Sequence, residues 1–148
     1  MRDCLHLVII TKLLKPTMKK FAKNILIVDD EPETLELLKL AMDRSGFTPL
    51  TASSWDEVAY IVERTYKVNR PIDLIILDLM MPNRSGFDII RALQVVLNPM
   101  PPVIILSAVT GIEQQIQARD LGVAKYITKP TTPTKLVDAI KKILFNAN

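Results

Sequence analysis

Three short runs in this chain are apolar from end to end: "ILIV" at 25–28, "LIIL" at 74–77 and "VIIL" at 103–106. A strand with one wet face alternates apolar and polar side chains. A run with no polar position belongs to a strand buried on both faces. Between these runs lie segments with helical spacing, so strand and helix patterns alternate from Asn24 onward. Buried strands separated by helix-length segments imply a parallel sheet with helices packed on both sides. Apolar residues make up 49% of the 148-residue chain, enough for such a core, and aromatics only 5%, so Ile, Leu and Val must fill it.

The segments between the runs can be assigned in turn. "EPETLELLKLAMDRSG" carries Leu35, Leu38 and Met42 on one helical face, with Gly46 placed to end the helix. "FTPLTA" reads as a weak strand, because Pro49 lacks a ladder donor and belongs at an edge. "SWDEVAYIVERTY" opens with a capping box from Ser54 to Glu57 and continues with Val58, Ile61 and Val62. "SGFDIIRALQVVL" places Phe87, Ile90, Leu93 and Leu97 inward. "GIEQQIQARDLG" is a short polar helix ended by Gly122. "AKYIT" is a last, short strand. "TPTKLVDAIKKIL" is a last helix, with Thr132 as N-cap and Pro133 at its first position.

Five βα units with right-handed crossovers leave few topologies. A common one is the flavodoxin-like (βα)5 doubly wound sheet with strand order 2-1-3-4-5. It puts the Pro49 strand at one edge, the "AKYIT" strand at the other and the three apolar runs in the centre. In such sheets ligands bind beyond the carboxyl ends of the strands, where the order reverses. Those ends carry Asp29 and Asp30, Asp78, Ser107 and Lys129. Carboxylates about 4 Å apart repel by roughly 4 kcal/mol at an effective dielectric of 20. Raised pKa values, the lysine or a metal must offset that. An all-oxygen set suits Mg²⁺, and a carboxylate beside it can act as a nucleophile that forms an aspartyl phosphate.

The stretches "ILIVDDE", "LIILDLMMPNRSGFDII", "VIILSA" and "ARDLGVAKYITKP" together resemble the receiver domain of two-component response regulators, in its chemotaxis-type single-domain form. The resemblance implies that Asp78 is the phosphoacceptor and that Asp29 and Asp30 form an acidic pocket, with Asp30 a direct Mg²⁺ ligand. It makes the backbone carbonyl of Met80 a further ligand, Lys129 the phosphate-binding lysine, Ser107 the switching hydroxyl and Tyr126 the rotating aromatic. It also implies a cis peptide at Lys129–Pro130. The implied donor is a histidine kinase or histidine phosphotransfer protein. The implied output is a protein partner on the face built by the fourth helix, fifth strand and fifth helix. No output module follows in the sequence, so a stand-alone switch or phosphorelay intermediate is expected, with no direct nucleic-acid contact. The alternative is a small hydrolase of similar fold that forms an aspartyl phosphate. It is disfavoured because no insertion large enough for a substrate cap is present.

Composition excludes other classes. One Cys and one His allow neither a disulfide framework nor a Cys/His zinc site. Four scattered glycines make no phosphate-cradling loop. The net charge of +3 is misleading: residues 1–23 hold six Lys/Arg against one Asp, and the remainder is mildly acidic. Residues 1–22 are therefore read as a basic extension and 23–148 as the receiver-like domain. "LHLVII" at 5–10 is too short for a membrane span, and a cytoplasmic location is expected.

Overall fold

The computed structural model describes residues 22–146. The expected extension at 1–22 lies outside the described residues, apart from Ala22. Strands β1 (Asn24–Val28), β2 (Thr48–Ala52), β3 (Leu74–Leu77), β4 (Val103–Ser107) and β5 (Lys125–Thr128) alternate with helices α1 (Pro32–Arg44), α2 (Trp55–Lys67), α3 (Gly86–Val96), α4 (Ile112–Asp120) and α5 (Pro133–Phe145). All neighbouring strands are parallel, and their order is β2-β1-β3-β4-β5. Pro49 sits opposite Ile25 on the β2 edge, where its missing N–H can face away from the sheet.

Side chains of each central strand point alternately to the two faces. Leu26, Val28, Ile75, Leu77, Val103 and Ile105 face one core with Val58 of α2, Ile90 and Leu93 of α3 and Ala118 of α4. Ile25, Ile27, Leu74, Ile76, Ile104 and Leu106 face the other, against Leu38 and Met42 of α1 and Leu136 and Ile140 of α5. Both sheet faces are thus covered, which is why no polar position interrupts the apolar runs.

Local signals end the helices where expected. Gly46 and Gly122 have φ of +84° and +81°. Each follows a helix and frees two N–H groups to close its last turn: Phe47 to the Met42 carbonyl and Gly46 to Asp43, then Val123 to Ala118 and Gly122 to Arg119. Ser54, Ser85 and Thr132 cap α2, α3 and α5 by accepting the amides of Glu57, Asp88 and Lys135. The capping box at α2 closes differently from the expected pairing. The Glu57 carboxylate accepts from the amide and hydroxyl of Ser53, at 2.6 and 3.1 Å. Leu97 stands at the C-cap of α3, whereas Ile89, outside the expected inward set, is fully buried.

Candidate functional site

Asp29, Asp78 and Lys129 each stand one residue beyond a strand, and at each the sheet ladder continues. The Asp29 amide donates to the Ala52 carbonyl at 3.1 Å, the Asp78 amide to Val28 at 3.0 Å and the Lys129 amide to Ser107 at 2.9 Å. The three side chains therefore hang from clamped backbone at the carboxyl edge of the sheet. They gather beside β1 and β3, where the order reverses.

The two buried aspartates are held alike. Asp29 Oδ1 accepts the amide of Glu31 at 2.9 Å, and Asp78 Oδ1 accepts the amide of Met80 at 2.9 Å. Their remaining oxygens both accept from Lys129 Nζ, at 2.8 Å from Asp29 and 3.0 Å from Asp78. The carboxylate side chains are 3% and 8% exposed and the lysine 22%, so one ammonium bridges two nearly enclosed anions. Asp30 lies beside them but is exposed. Carboxylate oxygens of Asp29, Asp30 and Asp78 lie within 4.8 Å of one another. Against three carboxylates stands one lysine, so the pocket keeps an excess of negative charge.

Burial raises the Asp29 carboxyl above its ordinary value, and the Lys129 contact and the Glu31 amide only partly oppose it. Burial alone would lower Lys129. Its hydrogen bonds to Asp29 and Asp78 outweigh that and hold it above the usual lysine range. Such a site, all oxygen and short of positive charge, fits a small hard cation that keeps some water or phosphate ligands.

Ser107 is fully buried at the end of β4, and its Oγ accepts the Val109 amide at 3.3 Å. Tyr126, half-buried in β5, donates its hydroxyl to the Val109 carbonyl. Burial, and then the Asp78 charge, raise the Tyr126 phenol and keep it a donor. Both expected switch residues thus hold Val109, Ser107 through its backbone amide and Tyr126 through its backbone carbonyl. The Lys129–Pro130 peptide is cis, as the resemblance implied; Asn98–Pro99 is cis as well.

Gly86 supports the site from below. Its amide donates to the Leu79 carbonyl at 3.1 Å. A Cβ there would lie 2.6 Å from the Asp78 carbonyl oxygen and 2.8 Å from Leu79 Cα. Backbone, not a flexible side chain, would have to yield. Gly86→Ala is expected to cost about 1–3 kcal/mol of stability, read as a lower urea midpoint. An unchanged midpoint would show that this approach is looser than described.

The family profile of the response regulator receiver domain matches residues 25–141. The phosphate regulon transcriptional regulatory protein PhoB of Pseudomonas aeruginosa is 36% identical over 123 residues, which is 82% of this chain and 52% of that protein. A response regulator receiver domain protein of Clostridium thermocellum is 35% identical, with a TM-score of 0.73, covering 84% of this chain and 95% of that structure. The chemotaxis protein CheY4 of Vibrio cholerae shares the fold at a TM-score of 0.74 and 22% identity, covering 83% of this chain and 99% of its own. The chain spans about half the length of the curated relatives it matches.

Proposed function

The chain belongs to the response regulator receiver domain family of two-component signalling, and on that premise we propose that it accepts a phosphoryl group on Asp78. The donor is a phosphohistidine of a histidine kinase or histidine phosphotransfer protein. One observation carries this reading: Asp78 stands just beyond the central strand β3 with one carboxylate oxygen on Lys129 and two further carboxylates beside it.

An Asp78 oxygen forms the bond to phosphorus while the P–N bond breaks and its electron pair returns to the imidazole. Asp29, Asp30, Asp78 and the Met80 carbonyl would hold Mg²⁺, which when bound draws charge from the phosphoryl oxygens. The negative charge that Lys129 now faces on Asp78 passes to the phosphoryl group. Lys129 can follow it while keeping Asp29. Ser107 uses its oxygen as an acceptor from Val109, so its proton is available to a phosphoryl oxygen. If Ser107 turns to the phosphoryl group, the Val109 amide loses its acceptor. The adjoining peptide, whose Val109 carbonyl accepts from the Tyr126 hydroxyl, then loses that neighbouring restraint and can move. This would alter the face formed by α4, β5 and α5. That face is the proposed surface for a protein partner.

The family is one of signalling proteins, and no feature of the site favours the hydrolase alternative. Among the described residues no helix is long and apolar enough to cross a membrane. The functional test is phosphoryl uptake from acetyl phosphate with Mg²⁺ and with a chelator. Uptake should stop at one group per chain and vanish without the metal. Continued turnover of a generic phosphate ester would support the hydrolase instead.

Metal binding separates the two neighbouring acids. Asp29 already spends its oxygens on Lys129 and the Glu31 amide, whereas Asp30 is exposed. Asp30→Ala should weaken Mg²⁺ binding by about tenfold or more, and Asp29→Ala by less. Calorimetric titration of both variants checks this, and equal affinities would contradict it. Protons compete for the same oxygens, and Asp29 is raised. Affinity in the parent chain should therefore fall as pH is lowered through the upper part of the carboxylate range.

A further inference from the structure

The loop after β3 is fixed at its base. The Met80 amide is held by Asp78, Leu79 is buried, and the Gly86 amide closes the turn onto the Leu79 carbonyl. Its tip differs. Every residue from Pro82 to Ser85 is exposed, Asn83 has a left-handed φ of +67°, and Arg84 enters no ion pair among the described residues. Between this tip and the start of α2 lies a cleft of about 270 Å³ lined by Ser54, Trp55, Met81 and Arg84, among others. Across that cleft the Arg84 guanidinium carbon lies 4.9 Å from the centroid of the Trp55 ring. Trp55 is the fixed half of this contact. It is the first residue of α2, next to the Ser54 cap, and it packs partly against the core. Among aromatic side chains, the indole is the best partner for such a cation.

We propose that Arg84 and Trp55 form a clasp that ties the tip of the Met80–Ser85 loop to α2 and so holds the Met80 carbonyl ready for the metal. Both are positioning residues, and neither is expected to touch metal or phosphate. This rests on the functional reading above, since it concerns the metal site placed at Asp30, Asp78 and Met80. With the tip released, the loop samples more conformations, and binding must order it at the cost of affinity. The contact is exposed on the arginine side, so a loss of about two- to fivefold in Mg²⁺ affinity is expected.

The test is calorimetric titration with MgCl₂ of the parent, Arg84→Gln, Trp55→Leu, the double variant and Trp55→Phe, with thermal midpoints taken in metal-free buffer. Each of the first two substitutions should weaken Mg²⁺ binding by about two- to fivefold. The double variant should bind no more weakly than the weaker single one, because both remove one contact. Trp55→Phe should recover most of the affinity. Arg84→Gln, at an exposed position, should lower the metal-free midpoint by only about 1–4 °C, so the affinity is read on a folded chain. Parent-like affinity in Arg84→Gln and Trp55→Leu, or losses that multiply in the double variant, would overturn the clasp while leaving the metal site standing. A parent chain that binds no Mg²⁺ would overturn the functional reading and the clasp together.

Discussion

Asp78→Asn is expected to take up no phosphoryl group from either a small donor or a phosphohistidine protein. An amide oxygen is a far weaker nucleophile than a carboxylate and cannot form the acyl phosphate. The substitution keeps the shape of the side chain. Its oxygen can still accept from Lys129 or from the Met80 amide, the two partners Asp78 now has. One negative charge leaves a cluster in which three carboxylates face one lysine, so repulsion falls. The variant should therefore be folded, and its thermal midpoint should lie at or above that of the parent. Loss of labelling in a chain at least as stable assigns the defect to chemistry. Labelling at the parent level would remove Asp78 from the site.

Lys129→Met is the second large effect, and it strikes both stability and chemistry. The substitution leaves Asp29 and Asp78 enclosed without their shared cation. Breaking a fully buried pair costs roughly 3–5 kcal/mol, and this lysine is partly solvated, so about 2 kcal/mol is expected at neutral pH. The pH dependence has a definite sign. Asp29 is already raised in the folded chain. Without Lys129, which lowers it, it rises further. A carboxyl whose folded pKa lies above the unfolded one favours the fold at low pH, and that contribution is lost as pH rises through the folded value. The gap between variant and parent should thus narrow on acidification. Urea midpoints at neutral and mildly acidic pH measure it, and a gap that stays constant or widens would contradict the bridging role. Labelling by a small donor should slow by about 10²–10³-fold, the usual effect of losing one charge-stabilising donor.

The sheet was legible in the sequence because its central strands are covered on both faces. Two-sided burial leaves no polar position, and the absence of alternation at 25–28, 74–77 and 103–106 reports it directly. Pro49 marked its strand as an edge, and Gly46 and Gly122 marked helix ends through a backbone angle that other residues rarely adopt. Ile89 was less legible. A single stripe at three- and four-residue spacing misses a helix whose buried arc also takes in its neighbour. The Ser54–Glu57 cap forms through the Glu57 amide, but the Glu57 carboxylate turns to Ser53, whose hydroxyl and amide together offer it two donors.

At the site, acids ending buried strands were visible as a violation of the apolar pattern. What they bond to was not. Met80 and Glu31 act through amides, Val109 through its amide and carbonyl, and a one-letter code carries no sign of such groups. The double bridge from Lys129 to Asp29 and Asp78 required the fold, since 100 and 51 residues separate the partners. Arg84 and Trp55 meet only because the loops after β2 and β3 flank the same cleft.

Asp78 is the proposed site of the phosphoryl group. The most direct test is to incubate the parent chain with acetyl phosphate and Mg²⁺, weigh the intact protein, and map the modified peptide after trapping the acyl phosphate. One phosphoryl group per chain is expected, carried by Asp78 and released by hydroxylamine. A label on Ser107 or any other residue, or none in the presence of Mg²⁺, would contradict it.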